Sequence, residues 1–258
     1  MYTLELQFKS SRPAATDDRD DAINTLLNAY CRSGQVLTGS PLRSITKAGR
    51  YSVFVSTPER QSLSRTHANR WVVNARAALG ELGISIKVIV HGRNPESIAI
   101  CNCSKWSWLV LFTHFLSEES PRRCGTCFGT IPLYWTTKLR DDEYGDVVSW
   151  RGDYRRCDAL QMGCSTGERF GTSQLSDLDS SLSRRGRKVC DELMRTCKVP
   201  VFYYLYRGEG RSLLTERKRR CPGCRAAWLI DPPLCDFFDQ KCDRCRLVSN
   251  IAWNVRMQ

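Results

Sequence analysis

The chain has 258 residues, 41% of them hydrophobic, and a formal net charge of +12 at pH 7. That apolar share supplies a genuine core and excludes bulk disorder, while the length allows one large domain or two small ones. The longest apolar run, Ser107–Leu116, is half of the ~20 residues a membrane span needs, so no membrane partner is expected.

The opening stretch MYTLELQFKS alternates from its start, where a secretory leader would be basic and then apolar. The chain is therefore expected to stay in the cytoplasm. Tyr2, Leu4, Leu6 and Phe8 share one face, which predicts a half-buried strand. The Asp-rich stretch from Asp17 suits a helix N-terminus. Ile23, Leu26, Leu27 and Tyr30 then recur at helical spacing, and Gly34 stops the helix. Two strands follow, joined near Lys47-Ala48-Gly49, the second carrying Tyr51, Val53 and Val55 in alternation. Helical spacing returns from Ser62 to Leu82 through Trp71, Val72, Ala75 and Leu79. Ile84, Ile86, Val88 and Val90 form one face of a last strand. The order βαββαβ over residues 1–95 is that of a ferredoxin-like α/β sandwich. That fold hosts RNA binders, metal carriers and interaction modules alike, so it decides no function alone.

A turn-rich boundary at His91–Ser97 leads into residues 96–258, an α+β region dense in Cys, Trp and Tyr. Strands are expected within Ser107–Phe115, Thr130–Thr137 and Val199–Arg207. Residues 173–197 are the main helical candidate, with serines for capping and Val189, Leu193, Met194 and Cys197 at helical spacing.

The chain has 14 cysteines, but it is long for a secreted disulfide scaffold, and Cys-x-x-Cys pairs favour reduced thiols that hold metal. CPGC (Cys221, Cys224) and CDRC (Cys242, Cys245) are separated by seventeen residues. This fits a ribbon in which two knuckles place four sulfurs on one Zn²⁺, over about residues 217–258. Four sulfurs saturate zinc, so the metal would be structural and not catalytic. Cys101 and Cys103, with Cys124 and Cys127, could build a second zinc site; Cys157 and Cys164 are rival ligands for it, and burial as small hydrophobes is the alternative for all of them. His67, His91 and His114 lie in no acid/base cluster, and no nucleophile triad or phosphate loop is evident. The chain is therefore not expected to be an enzyme or to act on a small-molecule substrate.

Residues 184–220 carry twelve Lys and Arg against four Asp and Glu. Arg184, Arg185, Arg187, Lys188, Arg207, Arg211, Arg217, Lys218, Arg219 and Arg220 are the candidate contacts of this segment. Aromatics interleave with them: Phe202, Tyr203, Tyr204, Tyr206 and, just beyond, Trp228. Cations that neutralise phosphates and rings that stack on unpaired bases suit RNA or single-stranded DNA. The alternative partner is an acidic protein, for example a bacterial toxin that this chain would occlude as an immunity protein or antitoxin. A solvated basic face and a buried aromatic strand would need no partner.

The strings CGTCFGTIPLYW, CDALQMGCSTGERFGT, LSRRGRKVC, VPVFYYLYR, CPGCRAAW and KCDRCRLVSN follow in this order between Cys124 and Asn250. Together they resemble a bacterial family of unknown function described as zinc-ribbon-containing and suggested to bind nucleic acid. The resemblance covers residues 97–258 closely and the N-terminal unit loosely. It implies a zinc ribbon at Cys221, Cys224, Cys242 and Cys245 and implies no activity. Where that family has an acidic residue inside the CGTC knuckle, this chain has Thr126, which leaves the ligand geometry alone.

Overall fold

The computed structural model describes residues 1–11, 16–37, 42–45, 51–136 and 144–256. The chain divides into two compact units. The first holds Met1–Ile100, Glu118–Ser120 and Thr130–Val148; the second holds the rest.

The first unit runs β1 (Tyr2–Ser10), α1 (Thr16–Arg32), β2 (Leu42–Ile45), β3 (Tyr51–Thr57), α2 (Arg70–Glu81) and β4 (Ile84–Arg93). Its antiparallel sheet has the order β2-β3-β1-β4, the ferredoxin-like arrangement expected from the sequence. Leu4 pairs with Val55 and Leu6 with Val53, so one face of β1 and β3 is buried. Ile23, Leu26, Leu27 and Tyr30 of α1 pack with Val72, Ala75 and Leu79 of α2 in the same core. Gly34 takes φ +75°, the left-handed conformation that ends a helix.

Two expectations for this unit change. The helix predicted from Ser62 starts instead at Arg70, because the Asn69 side chain accepts from the Val72 N–H at 3.0 Å and caps it. Trp71 is exposed and lies off the buried stripe. Val88 and Val90 do share a face with Leu6 and Leu4, but both are exposed because β4 is an edge strand. The turn expected near Lys47–Gly49 lies outside the described residues.

The second unit contains β5 (Leu109–Leu111), β6 (Arg122–Cys124), most of α3 (Gly145–Met162), α4 (Glu168–Ser176), α5 (Ser181–Cys197), β7 (Val201–Leu205), α6 (Leu213–Lys218), β8 (Leu229–Leu234), β9 (Phe238–Cys242), β10 (Leu247–Ser249) and α7 (Trp253–Arg256). The sheet order is β6-β5-β7-β10-β9-β8. β7 is central, parallel to both β5 and β10. All five of its residues are buried, so the expectation that Phe202, Tyr203 and Tyr204 stack on unpaired bases is corrected: a strand covered on both faces reads as a continuous apolar run. Tyr203 packs on Trp150 of α3 and over Gly186 of α5. Phe202 and Tyr204 point to the other face, where Phe112, Phe237 and Phe238 surround Tyr204.

The helix expected over 173–197 is two helices. Ser180 breaks it, its hydroxyl accepting from the Ser183 N–H at 3.0 Å as the cap of α5. The strand expected at Thr130–Thr137 is a short 3-10 turn, Leu133–Trp135, in the first unit. Pro132 precedes it and cannot donate to a ladder.

Candidate metal centres

Three Cys-x-x-Cys segments fold alike. In each, the first cysteine and the residue five positions on are hydrogen-bonded or paired: the Cys124 N–H donates to Gly129 O at 3.0 Å, the Cys221 N–H to Ala226 O at 3.0 Å, and Cys242 pairs with Leu247 between β9 and β10. The residue directly after each second cysteine is left-handed: Phe128 at φ 56°, Arg225 at φ 61° and Arg246 at φ 50°. The Phe128 and Arg225 N–H groups return to the carbonyls of Cys124 and Cys221 at 2.9 and 2.8 Å. Such a loop turns two side chains of one short segment toward a common point. Glycine keeps two of the loops tight. A Cβ on Gly223 would lie 2.8 Å from Cys245 Sγ, and one on Gly125 would lie 2.1 Å from the Trp108 ring.

These knuckles meet in two clusters. Cys221, Cys224, Cys242 and Cys245 place their four sulfurs within 4.8 Å of one another. Cys101, Cys103, Cys124 and Cys127 do the same. A tetrahedron with metal–sulfur bonds of ~2.3 Å has edges of ~3.8 Å. Cys124 and Cys103 sulfurs are 3.9 Å apart, and those of Cys224 and Cys242 3.5 Å. Both donor sets therefore fit a four-coordinate metal ion. Cys157 and Cys164 are outside the set of Cys101, Cys103, Cys124 and Cys127: Cys157 lines a cavity of about 460 Å³ with Asp153, Leu160 and Phe170, and Cys164 is exposed.

The thiol titrations follow from crowding. The Ala226 N–H and the neighbouring Cys242 thiol pull Cys224 down to about 7, while burial, reinforced by Cys224, pushes Cys245 up to about 12. In the other cluster burial pushes Cys101 up to about 12. Without a cation, one thiolate in a cluster makes its neighbours hold their protons. A divalent ion removes that conflict, because the charge it brings stabilises all four thiolates.

The predicted basic contacts divide. Arg184, Lys188, Arg211, Lys218 and Arg220 are exposed. Others are tied into the fold. Arg185 pairs with Asp153 at 2.6 Å and Arg217 with Asp231 at 3.2 Å. Arg187 donates to Leu178 O at 3.3 Å. Glu216, only 1% exposed, takes Arg207 at 2.8 Å and Arg219 at 3.3 Å. Trp228 is 2% exposed beneath the Arg219 guanidinium, so its expected role as a stacking surface is corrected: no base can reach it. The sequence reading missed Arg225 and Arg244, both exposed and each adjoining a cluster cysteine. Their place beside Cys224 and Cys245 was the available signal.

Comparison with known proteins gives the family without an activity. Residues 103–206 match a "Domain of unknown function (DUF2310)". Residues 1–91 and 210–255 match two further domains of unknown function. An uncharacterized protein of Haemophilus influenzae is 31% identical over 261 residues, spanning 98% of this chain and 99% of its own. A second H. influenzae protein, also uncharacterized, is 40% identical over 148 residues, 57% of this chain and 73% of its own. A solved structure of a candidate antibiotic biosynthesis monooxygenase from Deinococcus radiodurans is 16% identical, covers 39% of this chain and 99% of its own, and gives a TM-score of 0.27. At that score the likeness carries no argument. Among the described residues no helix is long and apolar enough to cross a membrane. The chain belongs to the bacterial family of unknown function that contains the full-length H. influenzae relative.

Proposed function

We propose that this chain is a non-catalytic nucleic-acid-binding protein whose C-terminal zinc ribbon and second tetracysteine site each carry a structural Zn²⁺. The zinc reading is supported by the donor chemistry: among the described residues four sulfurs and no other ligand type converge in each cluster, the set that closes a zinc shell and leaves no open position for a reaction. The binding reading is carried by one observation. Each cysteine of the C-terminal cluster adjoins a cation: Arg220 before Cys221, Arg225 after Cys224, Lys241 before Cys242 and Arg244 before Cys245. A zinc tetrathiolate carries two negative charges, fewer than these cations supply, and among the described residues only Lys241 of the four has an ion-pair partner, Asp243. The surplus faces solvent beside a rigid centre, where it can meet phosphates of RNA or single-stranded DNA.

The test is anisotropy of a labelled single-stranded oligonucleotide with the zinc-loaded protein, from about 50 to about 300 mM salt. Affinity is expected to fall steeply with salt. Absence of binding at the lowest salt overturns the reading. The second reading has an acidic protein, such as a toxin, as partner: Arg185, Arg207, Arg217 and Arg219 pair with carboxylates of the chain itself, so the 184–220 segment offers a shorter row of free charge than its sequence implies. Purification with a stoichiometric acidic protein and no nucleic acid would support that second reading.

A further inference from the structure

The register of the six-stranded sheet fixes where its two metal clusters lie. Cys124 at the end of β6 pairs with Leu109 at the start of β5. Leu109 pairs with Val201 at the start of β7. Across the rest of the sheet, Tyr203 of β7 pairs with Leu247 at the start of β10, and Leu247 pairs with Cys242 at the end of β9. Both clusters therefore sit at one end of the sheet, the end where the three parallel strands begin. Four strand spacings of ~4.8 Å separate β6 from β9, a path of ~19 Å measured along the sheet.

That end is rich in positive charge along its whole width. Lys105 lies between Cys103 and β5, Lys198 caps α5 directly before β7, and Arg225 and Arg244 flank the C-terminal cluster. All four are exposed. Lys241 lies across the face between the clusters, its ammonium 5.3 Å from the Trp108 ring and 4.6 Å from that of Phe202. Beside Lys105, Trp106 is half-buried, with the guanidinium of the fully buried Arg122 5.7 Å from its ring. The protein thus supports this indole from the inside and leaves part of it in solvent. An aromatic ring next to a row of cations is the combination that holds an unpaired nucleic-acid strand, through stacking on one base and neutralisation of successive phosphates.

We infer that single-stranded nucleic acid lies along this end of the sheet, from Lys105 and Trp106 at one tetracysteine cluster, past Lys198, to Arg225 and Arg244 at the other. The inference rests on the nucleic-acid reading above and moves the contact surface from the candidate contacts of the 184–220 segment to this end of the sheet, where only Lys198 belongs to that segment. The role of the metals follows: each fixes one end of the track, and the sheet between them sets its length.

The test uses the zinc-loaded full chain and a short fluorescein-labelled strand of mixed sequence, supplied as RNA and as DNA. Trp106→Ala is expected to weaken binding about ten-fold, and Trp106→Phe, which keeps a ring, to restore most of the loss. Joint replacement of Lys105, Lys198, Arg225 and Arg244 by Glu is expected to abolish binding at low salt. Their joint replacement by Gln is expected to reduce the slope of log affinity against log salt by about three. Zinc content and circular dichroism of each variant show that the fold is intact. If the four-fold Gln variant binds like the parent while Arg184→Glu with Lys188→Glu and Arg211→Glu loses affinity, the track is wrong and nucleic-acid binding stands. If the parent chain binds neither strand, or carries a stoichiometric acidic protein in its place, both fall together.

Discussion

Glu216 has two guanidiniums around a carboxylate that is only 1% exposed. Arg219 also donates to Ser249 Oγ at 2.9 Å and to Asn250 O at 3.1 Å, and burial lowers its pKa to about 10 while Glu216 opposes the fall. A buried ion pair offers little net stability over an apolar replacement, but removing one partner leaves a charge in low dielectric without compensation. Glu216→Gln is therefore expected to cost about 3 kcal/mol, read as a lower urea midpoint with unchanged slope. An unchanged midpoint would show that solvent already screens the pair. The run ERKRR reads in sequence as an exposed basic patch because charge runs usually are. Nothing in a linear string says that its glutamate turns inward and takes one arginine of the run with it. Its neighbours Lys218 and Arg220 are exposed, as the reading supposed.

At the scale of elements, α5 and β7 approach so closely that a Cβ on Gly186 would lie 2.2 Å from the Tyr203 ring and 2.6 Å from Trp150 Nε1. Alanine is the better helix former by about 1 kcal/mol, but both atoms belong to rings held in the core. Gly186→Ala is expected to destabilise by about 1–3 kcal/mol net. Gly152→Ala in α3, where only the flexible end of Arg156 comes within 3.3 Å, is expected to be neutral or stabilising. Thermal melts of both variants check the pair, and equal shifts would contradict this packing. Elements whose pattern is carried by apolar residues were legible: β1, β3, α1 and β7 all lie where periodicity puts them. α3 was not. Its buried stripe runs through Val147, Trp150, Tyr154 and Cys157 but also holds Arg151 and Asp158, so charge interrupts the apolar signal. β6 and β10 were illegible for a related reason. Each has three residues, and they bury Arg122, Arg123 and Ser249 where a strand would show apolar side chains.

At the scale of the molecule the two units are built by different means. The first has one continuous apolar core, from Leu4 to Ile84, that contains neither tetracysteine cluster. The second joins short strands into its sheet and ends two of them in cysteine knuckles: β6 ends in a cysteine of one cluster and β9 in a cysteine of the other. Metal that binds the folded state and not the unfolded one adds its binding energy to stability, and an ion held in either cluster would do so at a strand end. The grouping of Cys221, Cys224, Cys242 and Cys245 was legible from spacing alone, since two Cys-x-x-Cys pairs at that interval fit one cluster. The membership of the other set was not, because Cys157 and Cys164, with six residues between them, were rival ligands until the fold placed them outside it. Native mass spectrometry of the purified chain decides whether the thiols act as this arrangement demands. Two zinc ions per chain are expected, falling to one in Cys221→Ser with Cys224→Ser and to one in Cys101→Ser with Cys103→Ser. A parent chain that carries no metal, or a zinc count that neither pair of substitutions changes, would contradict the account.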